Sequence, residues 1–359
     1  MTKARNFFLE TSQVLFAVNL GEDVFEAIVP TCIIGLVKTN QKEYPIPVKD
    51  LRNATLELSS LLVTENFPTT TNNKILSAPN SIFSFDGQRS DLINRLALVF
   101  DPFETFCQDV ANGISTSCDG VYIVSKRFAQ DNNLEKDYLK ECIRGGQLNR
   151  FYCPDHTHEY VLYINNDFDR KKGKHIYDYL SKNKKLLIDK SVEKKQGKRE
   201  WHILFRSRYE GLFTKPKILF RQTGDRIIAA VDRSTGFYCI NSVHVGLVKP
   251  EHHDQLDYLI GLLNSKLITF YYREISQEQG RVLAEVKPQR IRSLPIAKAN
   301  PTDQHTIENL VSRIIAVKHN DPKADTYDLE KQIDCLVYKL YELTEQEIQI
   351  IEEYNTKIS

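Results

Sequence analysis

The sequence lacks the short motifs that define several classes of enzyme. It contains no Gly-x-Gly, the glycine-rich turn that lets backbone approach a nucleotide-like cofactor such as S-adenosylmethionine. It contains no Pro-Pro pair, and so it lacks the Asn/Asp/Ser-Pro-Pro-aromatic tetrapeptide of amino-directed DNA methyltransferases. A P-loop and a Gly-x-Ser-x-Gly nucleophile elbow are absent as well. The sequence therefore predicts no catalytic residue and no cofactor-binding residue in this chain.

Cysteine is sparse and irregularly placed. The seven cysteines are odd in number and are never spaced as Cys-x-x-Cys, which argues against a zinc knuckle and against a disulfide framework. No apolar run approaches the roughly 20 residues that a membrane span needs. The first residues lack the apolar segment and cleavage site of a secretory signal. We expect a cytoplasmic protein with no metal and no membrane partner.

Charge is distributed unevenly along the 359 residues, although the net charge is only +1. Residues 1–150 carry a net charge of −3, residues 151–300 carry +10, and residues 301–359 carry −6. A localised basic region suits a polyanion, because each neutralised phosphate releases counterions. The lysine-rich run Arg170–Arg199 fits a solvated surface equally well.

Patterns in the first 111 residues predict two strands followed by helices. The β-branched run Ile28–Lys38 predicts a strand that is buried on both faces of a sheet. Residues 67–80 contain many turn formers and predict a loop. Apolar spacing predicts one helix over Ser90–Val99 and a second over Thr105–Ala111.

The remainder of the chain predicts a β-rich region followed by helices. Short strands separated by turns are expected over Lys217–Val248. Asp254–Tyr272 carries one long apolar stripe and predicts a single long helix. After residue 300 three amphipathic helices are expected, the last of which begins with a capping box formed by Thr344 and Glu347.

Two loosely matching patterns of catalytic or metal-binding residues have simpler explanations. Pro154-Asp155 with Glu193-x-Lys195 fits a metal-dependent nuclease pattern, but such a match arises easily by chance in a lysine-rich stretch. The pairs His156/His158 and His252/His253 have no accompanying cysteine or carboxylate set, so surface histidines are favoured over metal ligands.

Three stretches in order resemble one family. Residues 211–242 carry Lys-Pro-Lys-Ile before a strand and an aromatic pair shortly before Asn-Ser. Residues 262–272 read Leu-Leu-Asn-Ser-Lys and end in Phe-Tyr-Tyr, and residues 294–296 read Leu-Pro-Ile. Together they resemble the TaqI-type C-terminal specificity domain, the target-recognition domain of type IIG restriction–modification enzymes and adenine-specific DNA methyltransferases. The tail over residues 333–347 resembles the end of the single-chain type IIG enzymes.

A fainter resemblance extends upstream. Residues 113–124 and 144–152 resemble the start of the recognition region, the second through Arg-Gly-Gly-Gln and Arg-Phe-Tyr. Residues 25–34 resemble the last strands of the methyltransferase domain. The cofactor loop and catalytic tetrapeptide would then lie upstream of Met1. A truncated gene, a split system with a catalytic partner chain and an expression fragment are all compatible with this pattern.

The resemblance implies contacts with double-stranded DNA, and it implies S-adenosylmethionine for the intact family enzyme but not for this chain. Candidate contacts are the basic and polar residues of the turn-rich strands and of the segment after the long helix. They are Lys215, Lys217, Arg221, Gln222, Arg226, Arg233, Tyr238, Asn241, Ser242, Lys266, Arg281, Lys287, Arg290 and Arg292. Competing explanations exist for each of them: strand-end lysines can be merely solvated, Phe220 and Tyr238 fit a core, and Asn264 and Ser265 fit a structural role.

The predicted fold class is α+β, with three domains. Residues 1–100 would be a remnant of a methyltransferase sheet, residues 101–300 a mainly antiparallel β recognition domain with a long helix, and residues 301–359 a helical subdomain. The leading function is a sequence-specific DNA-recognition module of a restriction–modification system. Alternatives are an interaction subunit that docks a catalytic partner through its acidic helical tail, an active methyltransferase or nuclease with an unrecognised site, and an unrelated fold with a lysine-rich surface.

Overall fold

A computed structural model shows a mixture of helices and strands, which confirms the α+β class. The structure describes residues 2–21, 24, 31–39, 42–51, 69–77, 87–233, 236–276 and 284–356. These residues divide into two compact units. Unit 1 contains residues 1–101 and 344–359, and unit 2 contains residues 102–343.

The described strands are mostly short. They are β1 (Gln13–Gly21), β2 (Thr31–Val37), β3 (Pro45–Asp50), β4 (Thr69–Thr71), β5 (Asp101–Pro102), β6 (Cys107–Asn112), β7 (Ile123–Ser125), β8 (Leu139–Ile143), β9 (Glu159–Leu162), β10 (Lys217–Arg221), β11 (Ala229–Asp232), β12 (Tyr238–Cys239), β13 (Val243–Val248) and β14 (Pro295–Ile296).

The two longest of the described α-helices lie after residue 300. They are α1 (Thr2–Thr11), α2 (Asn72–Ser77), α3 (Gly87–Val99), α4 (Asp119–Tyr122), α5 (Lys126–Asp131), α6 (Lys174–Lys182), α7 (Lys184–Asp189), α8 (Val192–Lys195), α9 (Leu256–Leu263), α10 (Lys266–Ser276), α11 (Pro288–Arg292), α12 (Pro301–Asn320), α13 (Tyr327–Leu340) and α14 (Glu345–Thr356). None of the helices in the described ranges is long and apolar enough to cross a membrane.

Unit 1 is built on a four-stranded sheet in the order β2-β1-β3-β4. The β1–β2 and β3–β4 pairs are antiparallel, and β1–β3 is parallel. Its core includes Leu9, Val14 and Ile46. The prediction that Ile28–Lys38 is buried on both faces is wrong for its described part: β2 is an edge strand in which five of seven residues are exposed.

The predicted loop over residues 67–80 is also corrected. Thr69–Thr71 forms β4, because these β-branched residues pair with β3. A helix follows at Asn72, whose side chain accepts a hydrogen bond from Tyr44 N at 3.0 Å and donates one to Lys42 O at 3.0 Å. Contacts distant in the sequence therefore order this turn-rich segment. Residues 78–80 lie outside the described ranges.

Unit 2 contains two four-stranded sheets, in the orders β11-β10-β13-β6 and β12-β8-β9-β7. All pairs are antiparallel except β12–β8. The helix predicted over Thr105–Ala111 is wrong, because β6 pairs with β13 over residues 107–112. All six residues of β13 are buried, so this sheet lies in the interior.

The predicted helix over Asp254–Tyr272 is interrupted. Helix α9 ends at Leu263 and α10 begins at Lys266. Asn264 is fully buried between them, and its side-chain amide bonds both backbone groups of Ala229 at 3.0 and 2.9 Å. The Ser265 hydroxyl accepts a hydrogen bond from Ile268 N at 3.2 Å, as an N-cap does. Both residues are therefore structural, as expected.

The helices after residue 300 do not form a unit of their own. Helices α12 and α13 belong to unit 2, and α14 belongs to unit 1. The apolar residues Ile314, Ile333 and Val337 are buried. The capping box at the start of α14 is confirmed: Thr344 N donates to Glu347 at 2.8 Å, and Glu347 N donates to the Thr344 hydroxyl at 3.3 Å.

Candidate nucleic-acid interface

Four segments of unit 2 meet where β10 ends, and we call this place the junction. It consists of residues 144–147, 221–224, 241–242 and 284–287. Arg221 is the last residue of β10, and the next residue, Gln222, donates its backbone N–H to Ser242 O at 2.9 Å. Ser242 in turn accepts a hydrogen bond on its hydroxyl from Gly145 N at 3.0 Å.

A glycine is required where the turn after β8 approaches Ser242. A Cβ atom at Gly145 would lie 2.5 Å from Ser242 O and 3.5 Å from the Arg221 side chain. At the neighbouring Gly146, a Cβ would meet nothing within 4 Å. Gly145 therefore serves close packing inside the junction, whereas Gly146 is exposed at its surface.

The fourth segment is held to β10 by backbone pairing and by a buried histidine. Val286 N donates to Gln222 O at 2.7 Å, and Gly224 N donates to Ala284 O at 2.9 Å. On β13, His244 Nε2 lies 2.7 Å from Val286 O, so this nitrogen carries the proton. Burial lowers the pKa of His244, which favours the neutral ring. His244, which supports this segment, was not predicted from the sequence.

The junction presents polar side chains of several kinds. Asn241 and Lys287 are exposed, and Arg221, Gln222 and Ser242 are half-buried. Arg221 forms no ion pair with a carboxylate among the described residues, and its buried Nε has no hydrogen-bond partner there. The structure thus brings together five of the predicted contacts, including a guanidinium, two amides and an ammonium group.

Lys217 is removed from the candidate contacts because it is completely buried. Its Nζ donates to Asp232 Oδ2 at 2.6 Å and to Phe213 O at 2.5 Å. Asp232 also accepts a hydrogen bond from Phe237 N at 2.9 Å. The charge of Lys217 is therefore neutralised inside the sheet and stabilises the chain that leads into β12.

Tyr238 is removed as well, and the expectation that it belongs to a core is confirmed. It is 5% exposed, its ring packs against Phe213 and Tyr163, and its hydroxyl donates to Glu210 at 2.7 Å. Burial and the neighbouring Glu210 raise the pKa of Tyr238. Phe220 is also fully buried, as expected.

Several predicted arginines already have partners inside the protein. Arg233 pairs with Asp257. Arg292 donates to Val110 O and lies 3.7 Å from Asp109. These contacts position the segments that carry them and leave less of each guanidinium for another ligand.

The remaining residues predicted to contact DNA either lie outside the junction or lie outside the described residues. Lys215 and Arg226 are exposed, whereas Lys266 and Arg290 are half-buried. Although part of Arg226 is exposed, burial of the rest of its side chain lowers its pKa, as do the neighbouring cations Arg150 and Arg273. Arg281 lies outside the described residues.

The metal and nuclease patterns find no support in the described part of the chain. No group of three histidine, cysteine or carboxylate side chains there could hold a metal ion. Asp155 lies 3.4 Å from His319, and Glu193 pairs with Arg199 at 3.0 Å. His156 and His158 are exposed, as expected for surface histidines. All seven cysteines are free thiols, in agreement with the absence of a disulfide framework.

Arg144 lies in a stretch that resembles the family's recognition region, but it was not predicted as a site residue. It begins the turn after β8, and its guanidinium donates to both carboxylate oxygens of Glu159 at 2.9 and 3.1 Å. Its backbone N–H donates to the Gln147 side-chain oxygen at 2.8 Å. The Gly-Gly pair directly after a strand was the available signal, because such a pair permits close approach of backbone.

All four segments of the junction fall within one family match. Residues 140–296 match the model of the TaqI-like C-terminal specificity domain. These residues are therefore similar to a TaqI-like specificity domain. The matched stretch includes both sides of the junction, from Arg144 to Lys287, and also the segment between β9 and β10.

The similarity to a solved structure covers more of the chain than residues 140–296. The structure of a Type IIL restriction-modification enzyme, MmeI, in complex with DNA matches with a TM-score of 0.53 at 13% identity. The match covers 97% of this chain and 46% of that chain, so this chain spans about half the length of MmeI. No curated protein matches the chain.

Proposed function

We propose that this chain is a sequence-specific double-stranded DNA-recognition module of a type IIG-like restriction–modification system that methylates adenine N6. The observation that carries the proposal is the convergence of Arg221, Gln222 and Asn241 at one place in a TaqI-like specificity domain. The MmeI structure, which contains DNA, supports double-stranded DNA as the partner.

In the proposed mechanism, the junction reads base edges in a DNA groove. A guanidinium such as that of Arg221 can donate two hydrogen bonds to O6 and N7 of guanine. Amides such as those of Gln222 and Asn241 can pair with N6 and N7 of adenine. Two exposed lysines, Lys287 in the junction and Lys215 just before β10 begins, would contact phosphates and fix the register on the duplex.

Catalysis does not belong to this chain in the proposal. The sequence lacks the glycine-rich turn and the Pro-Pro tetrapeptide that the reaction needs, so this chain is not expected to bind S-adenosylmethionine. The cofactor and the methyl transfer would be supplied by a catalytic domain or a partner chain. Tight binding of S-adenosylmethionine to the purified chain would contradict this division of roles.

The test compares two arginines of the same domain. We would measure the Kd for the preferred duplex and for its single-base variants, using the wild type, Arg221→Ala and Arg233→Ala. Arg221→Ala should lose about 1–3 kcal/mol of discrimination at one base pair. Arg233→Ala is the matched control, because its guanidinium is paired with Asp257. Equal discrimination by wild type and Arg221→Ala would remove Arg221 from base recognition.

A second candidate function is docking of a protein partner, and the β1–β2 hairpin favours it. Along β2 the consecutive residues Cys32, Ile33 and Ile34 are exposed, so both faces of this edge strand are uncovered by the described residues. On β1, Leu15 and Phe16 are exposed as well. Apolar strands with a free edge are sites for pairing with another chain.

This location differs from the predicted docking through the acidic helical tail. The apolar residues of α12 and α13 named above are buried within the protein. The β2 edge is tested by sedimentation of the wild type and of Ile34→Lys. Concentration-dependent association that the substitution abolishes would support a docking surface, and a monomer in both cases would oppose self-association there.

A further inference from the structure

The segment between β9 and β10 concentrates the positive charge of the protein. Residues 163–216 contain fifteen lysines and arginines and seven acidic residues, whereas the whole chain has a net charge of only +1. The segment carries the short helices α6, α7 and α8, and it lies on the side of the domain where β8 begins. Since it is part of no sheet except through an isolated bridge at Arg206, its lysines are not needed for strand pairing.

Ten lysines of this segment are exposed and form no ion pair with a carboxylate among the described residues. Seven of them lie within residues 174–198, and we call these seven the lysine surface: Lys174, Lys182, Lys184, Lys185, Lys190, Lys195 and Lys198. Three arginines elsewhere in unit 2 differ from these lysines, because Arg144, Arg150 and Arg233 each pair with a carboxylate. Surface charge is usually interspersed with the opposite sign, so seven unpaired cations within 25 residues point to an external anion.

Aromatic rings and cations alternate along one side of this surface. Lys184 Nζ lies 5.4 Å from the Trp201 ring, and the Trp201 and Tyr177 ring centroids are 5.5 Å apart. The Arg170 guanidinium lies 5.2 Å from the Tyr177 ring. Such contacts hold long cationic side chains over the surface and reduce the entropy that they would lose on binding.

The lysine surface and the junction are connected to opposite ends of one strand. Tyr138, directly before β8, contacts the segment through the Phe168 ring at 4.7 Å and through Asp169 N at 3.2 Å. Arg144, directly after β8, belongs to the junction. Five residues of strand span roughly 16 Å, which is comparable to about five base pairs at a rise of about 3.4 Å per base pair.

We propose that the lysine surface is a second DNA contact, which binds the phosphate backbone of the duplex without reading its sequence. The inference rests on the proposed function, because the same duplex would occupy the junction. The lysine surface would supply affinity and salt dependence, and the junction would supply discrimination between bases.

The test substitutes lysines of the lysine surface that contact no aromatic ring among the described residues. The variant Lys182→Gln/Lys185→Gln/Lys190→Gln is compared with Lys323→Gln/Lys331→Gln/Lys339→Gln, which removes three exposed lysines near and within α13. Binding to a duplex of about 20 base pairs is measured between 50 and 200 mM salt. The slope of log K against log salt should fall by about 0.9 for each phosphate contact that is lost. The preferred sequence should stay the same, and the control should retain the wild-type slope.

Two outcomes would overturn the inference, and they are distinguishable. An unchanged slope in the first variant, with normal binding by the wild type, would reject the lysine surface alone. An equal decrease of the slope in both variants would show a diffuse charge effect and would also reject it. If the wild type bound no DNA at low salt, both the lysine surface and the proposed function would be rejected. Circular dichroism checks that each variant is folded.

Discussion

Two strands of this protein share the sequence Gly-Leu-Val but lie in opposite environments. In β13 of unit 2, Leu247 and Val248 are each 1% exposed, whereas in β2 of unit 1 Leu36 and Val37 are each 42% exposed. β13 has a partner strand on both sides, and β2 is an edge. The local sequence thus predicts the strand in both cases, but the surrounding chain decides whether it is covered.

The comparison also bears on function. β2 has the composition of an interior strand, but most of its residues are exposed. In unit 2, the buried strands β10 and β13 support the junction at the end of β10. In unit 1, the exposed edge strand β2 is the reason why we propose a docking surface there.

The largest expected effect concerns the buried charge of Lys217 in the sheet of unit 2. Lys217→Met should destabilise the protein by about 3–5 kcal/mol, because it leaves Asp232 buried without its counter-charge. Urea unfolding measures this. Lys215→Met is the control, since Lys215 is exposed two residues earlier and should change stability by less than about 0.5 kcal/mol. Similar effects at both positions would contradict the burial of Lys217.

The shared tripeptide allows a direct test of the two sheets. Leu247→Ala should cost about 2–5 kcal/mol, because it removes buried methyl groups and leaves a cavity. Leu36→Ala should cost less than about 1 kcal/mol, since Leu36 is 42% exposed and the truncation removes less buried surface. A large loss for Leu36→Ala in the purified chain would show that β2 is covered, for instance by self-association.

A buried lysine outside the sheets, Lys194, is expected to make the stability of the protein depend on pH. Lys194 donates to the Tyr122 hydroxyl at 3.0 Å, and burial lowers its pKa to about 8 from an ordinary value of 10.5. Between these values the unfolded state binds more protons, so the contribution of Lys194 to stability rises with pH. The stability of Lys194→Met relative to the wild type should therefore fall by roughly 2 kcal/mol from pH 7.5 to 10.5.

The control for that measurement is the adjacent lysine. Lys195→Met should show no such trend, because Lys195 is exposed. A parallel trend in both variants would assign the effect to the general charge of the segment instead of to the burial of Lys194.

The smallest expected effect is at the turn after β8. Gly145→Ala should destabilise the protein by about 1–3 kcal/mol, because the new Cβ would collide with Ser242 O. It should also weaken base discrimination by displacing the residues of the junction. Gly146→Ala is the matched control, since its Cβ would enter open space. Equal discrimination by both variants would argue against a role of this turn in positioning the junction.

The sequence was sufficient for elements that are determined by local pattern. Helix α3 and the capping box at Thr344 were predicted close to their observed positions, and short strands lie within Lys217–Val248 as expected. These elements combine strong periodicity with clear turn or cap residues. The family that the order of motifs resembles is also the family whose model matches residues 140–296.

Predictions failed where contacts distant in the sequence override local preference. Residues 107–112 have helical apolar spacing but pair with β13 as a strand. Asn264 interrupts a continuous apolar stripe because its side chain bonds the backbone of Ala229. Lys217 looked like a surface cation because its partner, Asp232, lies fifteen residues away in the sequence and opposite it in the sheet.

The most direct test of the central claim is selection from a pool of random duplexes by the purified chain, at low and moderate salt, with and without S-adenosylmethionine. The account predicts enrichment of one short motif, independent of the cofactor and lost in Arg221→Ala. Salt-sensitive binding without any enriched motif would contradict sequence recognition by this chain and leave only a basic surface. Absence of binding at both salt concentrations would contradict the DNA-recognition function and favour docking of a partner at β2.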